Sequence, residues 1–385
     1  MEYMKKIIIV LLMAVSMQVH AQWTGTWAAA AEFTGPGDMP ASTLANRSLR
    51  EIIHVSIGGS MLRLKLSNEF SKEPVEIRSL YIADALEGWE IQTKTAKYVT
   101  FGGKKNVTIE PGKALYSDVI KYSLKPLQRL SITINYGEGV PVNATSHRGS
   151  RTTSYIIPGI SKPKSNFAEG EKVDHWYNIA ALEVKGTAPC IAVLGNSITD
   201  GRGSTTNKQN RWPDFLAEAL QGQVGVLNLG IGGNSVVEGG LSEPASKRFD
   251  RDILQQSGVN TLIIFQGVND IGGSRHVEQT TTRLIAAYER FIKEAKEKGM
   301  KVYLATITPF KGNGYYSFFH EAARQYVNNW IRKCENVDGI IDFDELVRDS
   351  NDPEKLQQHF SEDGLHLTPA GYEAMGNYAA LLIEE

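Results

Sequence analysis

The sequence predicts two architectures in tandem: an all-β sandwich of jelly-roll type over residues 22–184, and a three-layer α/β/α sandwich with a five-stranded parallel sheet over residues 185–385. Three observations carry that expectation. From Gln22 to about Val184, short apolar runs alternate with Gly- and Pro-bearing turns and no long helical period appears, which is the texture of sheet packed on sheet. After Lys185, short apolar runs alternate with helical segments, the texture of parallel strands joined by crossover helices. At 385 residues, the chain also exceeds the ~100–200 residues of one ordinary domain.

Residues 1–21 stand apart from both units. Lys5 and Lys6 precede the apolar run Ile7 to Val15, and Val19-His20-Ala21 places small residues where a signal peptidase cuts. The run is shorter than the ~20 apolar residues of a spanning helix, so export is expected, to the periplasm or beyond, without stable membrane insertion. No cysteine follows the cleavage site to take a lipid.

In the β half, Ile52–Ile57 and Leu62–Leu66 flank Gly58-Gly59 and read as a hairpin, with Arg63 and Lys65 on the outward face of the second strand. Further strands are expected at Val75–Ile77, Tyr98–Phe101, Val107–Ile109, Leu130–Tyr136 and Trp176–Val184, with a loop over Ser161–Lys172. In the second half the expected strands are Ile191–Leu194, Val224–Leu229, Thr261–Phe265, Val302–Thr306 and Gly339–Ile341. Helices are expected near 212–220, 245–255, 278–298 and 320–334. The third spaces Leu284, Ile285, Tyr288, Phe291, Ile292 and Ala295 along one face. A last helix starts at Pro369, a residue suited to a first turn.

Composition excludes several classes of function. Hydrophobic residues at 42% and charged residues at 22% describe a globular protein with sizeable cores. A net charge of −2 without basic runs gives no footprint for nucleic acid. Cys190 and Cys334 read as small buried residues rather than a disulfide, and no cysteine–histidine spacing forms a metal site. No cofactor is expected; the GxxxxGK[ST] phosphate loop and the dinucleotide fingerprint are both missing.

The chemistry concentrates at strand ends of the second half. Ser197 follows the first strand, Asn228–Ser235 the second and Gly267-Val-Asn-Asp270 the third, while Asp363-Gly-Leu-His366 precedes the last helix. In a parallel sheet these C-terminal ends share one edge, where ligands bind. Each block has a bland reading: a helix cap at Ser197, a tight turn at Gly230–Gly233, a cap at Asn269-Asp270, a turn at Asp363 with His366 packed on Pro369. His359 and the histidines at 54, 147, 175, 276 and 320 read as structural or exposed; His147 and Arg148 could approach the active site across the domain interface, but structural roles are expected for both. Together the blocks supply what acyl transfer needs. A serine hydroxyl requires a base, the imidazole requires an acceptor that holds its tautomer, and the tetrahedral oxyanion requires fixed N–H donors.

The ordered set resembles the SGNH (GDSL-type) hydrolase family over Cys190 to Glu385. Gly195-Asn-Ser-Ile198 resembles its first block, Gly233 its second, Gly267-x-Asn269 its third and Asp363-x-x-His366 its last. Trp23-Thr-Gly-Thr-Trp27 with Leu49–Leu66 is similar to the β module of secreted bacterial two-domain members. The resemblance implies a flavodoxin-like catalytic unit. In it Ser197 is nucleophile and oxyanion donor, Gly233 (with Gly232 its rival) and Asn269 are further donors, His366 is the base and Asp363 its orienter. The family's usual aspartate before the serine is Asn196 here, an uncharged neighbour of the nucleophile. The implied function is an exported serine esterase removing short acyl groups, O-acetyl above all, from a small-molecule or polysaccharide ester on carbohydrate. A lipase, lysophospholipase or thioesterase is the rival within the family. A non-catalytic carbohydrate-binding protein is the rival outside enzymes, and the complete residue set speaks against it.

Overall fold

A computed structural model describes residues 22–384; the expected signal peptide lies outside the described residues. Residues 22–185 form antiparallel sheets. The larger has seven strands, with Arg47–His54 and Arg129–Tyr136 at its centre. The smaller has five and is built around Gly59–Asn68 and Ile179–Lys185. Alternation along Gly59–Asn68 buries Leu62, Leu64 and Leu66 completely, and they meet Leu49, Ile53, Ile132 and Ile134 of the facing sheet in one core. A small three-stranded sheet of Glu32–Thr34, Ala144–His147 and Trp176–Tyr177 lies beside them.

Two expectations for this half are corrected, and one for the cysteines of the other. The segments around Gly58-Gly59 are not a hairpin, because Arg47–His54 and Gly59–Asn68 belong to different sheets. Tight hairpin turns need positive φ at their central residues, and neither glycine adopts it. Gly58 instead permits close approach, since a Cβ there would lie 2.6 Å from the Leu124 carbonyl oxygen. The strand expected over Trp176–Val184 is broken at Asn178, which has φ of 60°. The pieces on either side enter separate sheets, and the Asn178 side chain satisfies the break by accepting from Tyr136 and donating to the Ser67 carbonyl. Cys334 falls just past the helix Phe318–Arg332 and is only half-buried, while Cys190 is fully buried; both are free thiols.

The second half is the expected α/β/α sandwich. Its five parallel strands run in the order Gly225–Gly230, Cys190–Gly195, Thr261–Phe265, Lys301–Ala305, Gly339–Ile341. The order reverses direction after the first strand, and the flanking strand ends open a crevice there. The central strands are buried on both faces, as their unbroken apolar runs require. The long helix Val277–Glu297 turns Leu284, Tyr288, Phe291, Ile292 and Ala295 inward, and the last helix starts at Pro369. Among the described residues no helix is long and apolar enough to cross a membrane.

The two halves pack backbone to backbone. Gly25, in Trp23–Ala28, faces Gly225 at the sheet edge, where a Cβ on Gly225 would lie 2.4 Å from the Gly25 carbonyl oxygen. The Val226 N–H donates to Ser56 Oγ at 2.9 Å. Ala28 and Ala30 join the apolar core of the α/β half, so the β half sits beside the strand ends that carry the site.

Candidate active site

The strand Cys190–Gly195 runs directly into a single helical turn, Ser197–Asp200, capped by Asn196. The Asn196 side-chain oxygen accepts the Ile198 N–H at 3.0 Å. An amide oxygen thus supplies the capping bond without a negative charge beside Ser197. The turn places the Ser197 hydroxyl at the strand edge, 2.9 Å from His366 Nε2.

His366 is oriented from the other side. Its Nδ1 lies 2.6 Å from Asp363 Oδ2, while Asp363 Oδ1 accepts the backbone N–H groups of Leu365 and His366. One tight turn therefore fixes both carboxylate oxygens. A carboxylate at Nδ1 places the proton there and leaves Nε2 as an acceptor for the serine proton. Burial raises the Asp363 carboxyl, but the His366 ring and the two backbone donors outweigh it and hold it below the ordinary value. The His366 imidazole is lowered, chiefly by burial and further by Arg202 and Arg151, with Asp363 opposing. It is accordingly set to be neutral near pH 7.

Ser197, Gly232, Gly233 and Asn269 line the same cleft as His366. Among the described residues, the backbone N–H groups of Ser197 and of both glycines have no acceptor. Gly233 has φ of 68°, a conformation that suits glycine. The Asn269 amide donates to the Asn234 carbonyl at 2.8 Å and accepts from the Tyr315 hydroxyl at 3.1 Å. Its second N–H remains for a ligand. Asp270, expected only as a cap, accepts the Val236 and Val237 N–H groups and so ties the second loop to the third. Burial pushes its carboxyl up to about 6 despite those bonds. The arrangement can take a proton from Ser197, stabilise imidazolium, and present N–H donors to an oxyanion. Among the described residues no group of three or more His, Cys, Asp or Glu side chains is placed to hold a metal ion.

Sequence reasoning weighed an approach by Arg148 but expected a structural role for it, and did not reach the rest of the wall opposite these loops. Arg148 and Arg151 reach the cleft from the β half, and Asp200, Arg202 and Tyr315 complete the lining from the α/β half. His147, read as structural or exposed, is buried beneath that wall and bridges the halves. Its Nδ1 faces the Ala30 carbonyl at 2.9 Å and its Nε2 faces Asp200 Oδ1 at 2.8 Å. Both partners accept, so both ring nitrogens donate and the ring is an imidazolium. Burial opposes that charge, but Asp200 and then Glu32 overcome it and raise the His147 value. Glu32 in turn binds Arg148 at 2.7 Å and accepts from Ser242 at 2.5 Å. Tyr315 had one available signal: it follows the fourth strand, whose C-terminal end must face the same edge.

Residues 193–374 match the model of the GDSL-like lipase/acylhydrolase family. The lipoprotein YqeF of Bacillus subtilis (strain 168) is 33% identical over 159 residues, covering 37% of this chain. The chain spans 60% of that protein's length. Among solved structures, a GDSL-like lipase from Bacteroides thetaiotaomicron is 20% identical, covers 52% of this chain and 90% of its own, and has a TM-score of 0.39. The acetyl xylan esterase AlAXEase is also 20% identical, covers 49% and 97%, and has a TM-score of 0.39.

Proposed function

We propose that this chain, which belongs to the GDSL-like lipase/acylhydrolase family through residues 193–374, is a serine esterase that transfers a short acyl group to Ser197 and then to water. The observation that carries the reading is the continuous hydrogen-bonded series Ser197 Oγ, His366 Nε2, His366 Nδ1, Asp363 Oδ2, with separations of 2.9 and 2.6 Å. In the proposed sequence His366 takes the hydroxyl proton as Ser197 Oγ bonds to the acyl carbon. The oxyanion lies against the N–H groups of Ser197, Gly233 and Asn269. Collapse expels the alcohol, which receives the proton from His366 Nε2, and water repeats the cycle to release the acid. Asp363 keeps Nδ1 protonated throughout.

The short-acyl reading is supported by the size of the cleft, about 280 Å³ in volume, with Leu241, Leu365 and Tyr315 as its apolar side chains. A long acyl chain requires an extended apolar groove. The carbohydrate assignment rests on analogy: the β half walls the cleft, and one structure similar in fold is an acetyl xylan esterase. Export is proposed from Lys5-Lys6, Ile7–Val15 and Val19-His20-Ala21, and the Bacillus relative bears the name lipoprotein. The test compares short-chain and long-chain 4-nitrophenyl esters, then acetate release from acetylated polysaccharides, with Ser197→Ala as control. Short esters are expected to be preferred and the variant inactive. Preference for long chains, with no acetate released, would contradict the substrate class.

A further inference from the structure

Charges around the cleft pair off, with two exceptions. Arg148 is neutralised by Glu32, His147 by Asp200, and His366 is matched to Asp363. Arg202 has no acidic partner among the described residues, and Arg151 keeps only a long ion pair with Asp200. Arg151 Nη2 lies 3.6 Å from Asp200 Oδ2, beyond hydrogen-bonding distance, and that carboxylate already serves His147. The Arg151 Nε is buried without a partner, a condition that costs stability and recurs at functional sites. Its backbone has φ of 50°, a region disfavoured for a residue with a side chain. The loop holds it there: the Arg151 carbonyl accepts the Asn207 N–H, and Thr152 accepts from Gln209. Arg202 is exposed, and among the described residues it has no acidic partner, although its backbone is fixed by the Tyr372 hydroxyl.

Position relative to the chemistry tells which part of the substrate these cations meet. Both line the cleft and act electrostatically on His366. In the esterase reading, on which this inference rests, His366 hands its proton to the departing alcohol. The alcohol moiety must therefore lie over His366 and its neighbours. We propose that Arg151 and Arg202 receive a carboxylate on that moiety, so that the substrate is the acyl ester of an acidic, hexuronic-type carbohydrate. A guanidinium fork suits a carboxylate in shape as well as charge. Because Arg151 comes from the β half and Arg202 from the α/β half, both halves would set the specificity.

The experiment uses the full chain and a matched pair of substrates: an O-acetylated hexuronic acid and its uncharged uronamide, with acetylated glycerol 3-phosphate as a third arm. The acid is expected to exceed the amide in kcat/KM by about tenfold or more, chiefly through KM, as one charge-assisted bond supplies. Added salt should shrink that ratio. Arg202→Gln and Arg151→Gln should each collapse it, whereas Lys293→Gln, on an exposed face of the helix Val277–Glu297, should not. Equal rates for acid and amide, retention of the ratio in both arginine variants, or a preference for the phosphate would overturn the proposal. Hydrolysis of 4-nitrophenyl acetate without charge preference defeats this inference alone; failure to hydrolyse any ester defeats the esterase reading with it.

Discussion

His366 stands between Asp363, which favours its charge, and burial together with Arg202 and Arg151, which oppose it. The opposing influences win, and the consequence has a definite sign. A base must be neutral to accept the Ser197 proton, so kcat/KM should rise with pH and reach half its plateau below about 6.5, the ordinary histidine value. A pH–rate profile checks this, and Arg202→Gln should move the midpoint upward. Tyr315 acts on a different atom. Its hydroxyl donates to Asn269 Oδ1 and so aims the amide N–H groups. Tyr315→Phe should lower kcat by about three- to tenfold, the worth of one neutral hydrogen bond. Asn269→Ala, which removes the donor itself, should cost roughly 10²–10³. Kinetics on a short ester with both variants would separate aiming from donation.

At the level of elements, the site is held by a buried arginine that the motifs do not include. Arg248, on the helix Ala245–Phe249, donates to the carbonyls of Gly195 and Leu229, to Asn234 Oδ1 and to Asp252. It thereby joins the ends of the first two strands to the loop that bears Gly233. Burial lowers its own value, with Asp252 opposing, yet the surrounding acceptors need its charge. Arg248→Met would leave Arg251 on Asp252 but strip the Gly195 and Leu229 carbonyls of a buried donor, and should destabilise the fold by about 1–3 kcal/mol, measurable by urea unfolding. A change under 1 kcal/mol would mean that the strand ends are held by other contacts. The four strand-end blocks were legible because parallel topology brings their ends to one edge whatever the details of packing. Arg248 was not, since the Gly195 and Leu229 carbonyls it holds leave no mark on sequence, and its pairing with Asp252 reads only as an ordinary i,i+4 helix pair.

Over the whole molecule, the junction depends on the His147 imidazolium between Ala30, Asp200 and Glu32. Its native value is raised above the ordinary one. Its stabilisation is thus complete below about 6.5, the unfolded value, and is lost as pH climbs through the higher native value. Urea unfolding across that window should show stability falling with pH, and His147→Gln should flatten the dependence. The junction also marks where sequence reading stops. Both fold types could be read from the spacing of apolar residues, and Ser197, Asp363 and His366 from their strand-end placement. Arg151 could not, and the approach of Arg148 was set aside for a structural role, because a contact across some fifty residues and two folds has no local signature. The mispaired Gly58-Gly59 segments failed for a related reason: glycine marks a close approach as readily as a turn. The most direct test of the central claim is peptide mass mapping of protein quenched in acid during turnover of a short acetyl ester. An acetyl group on the Ser197 peptide, absent in Ser197→Ala, is expected; a label on another residue, or full turnover by the variant, would contradict the account.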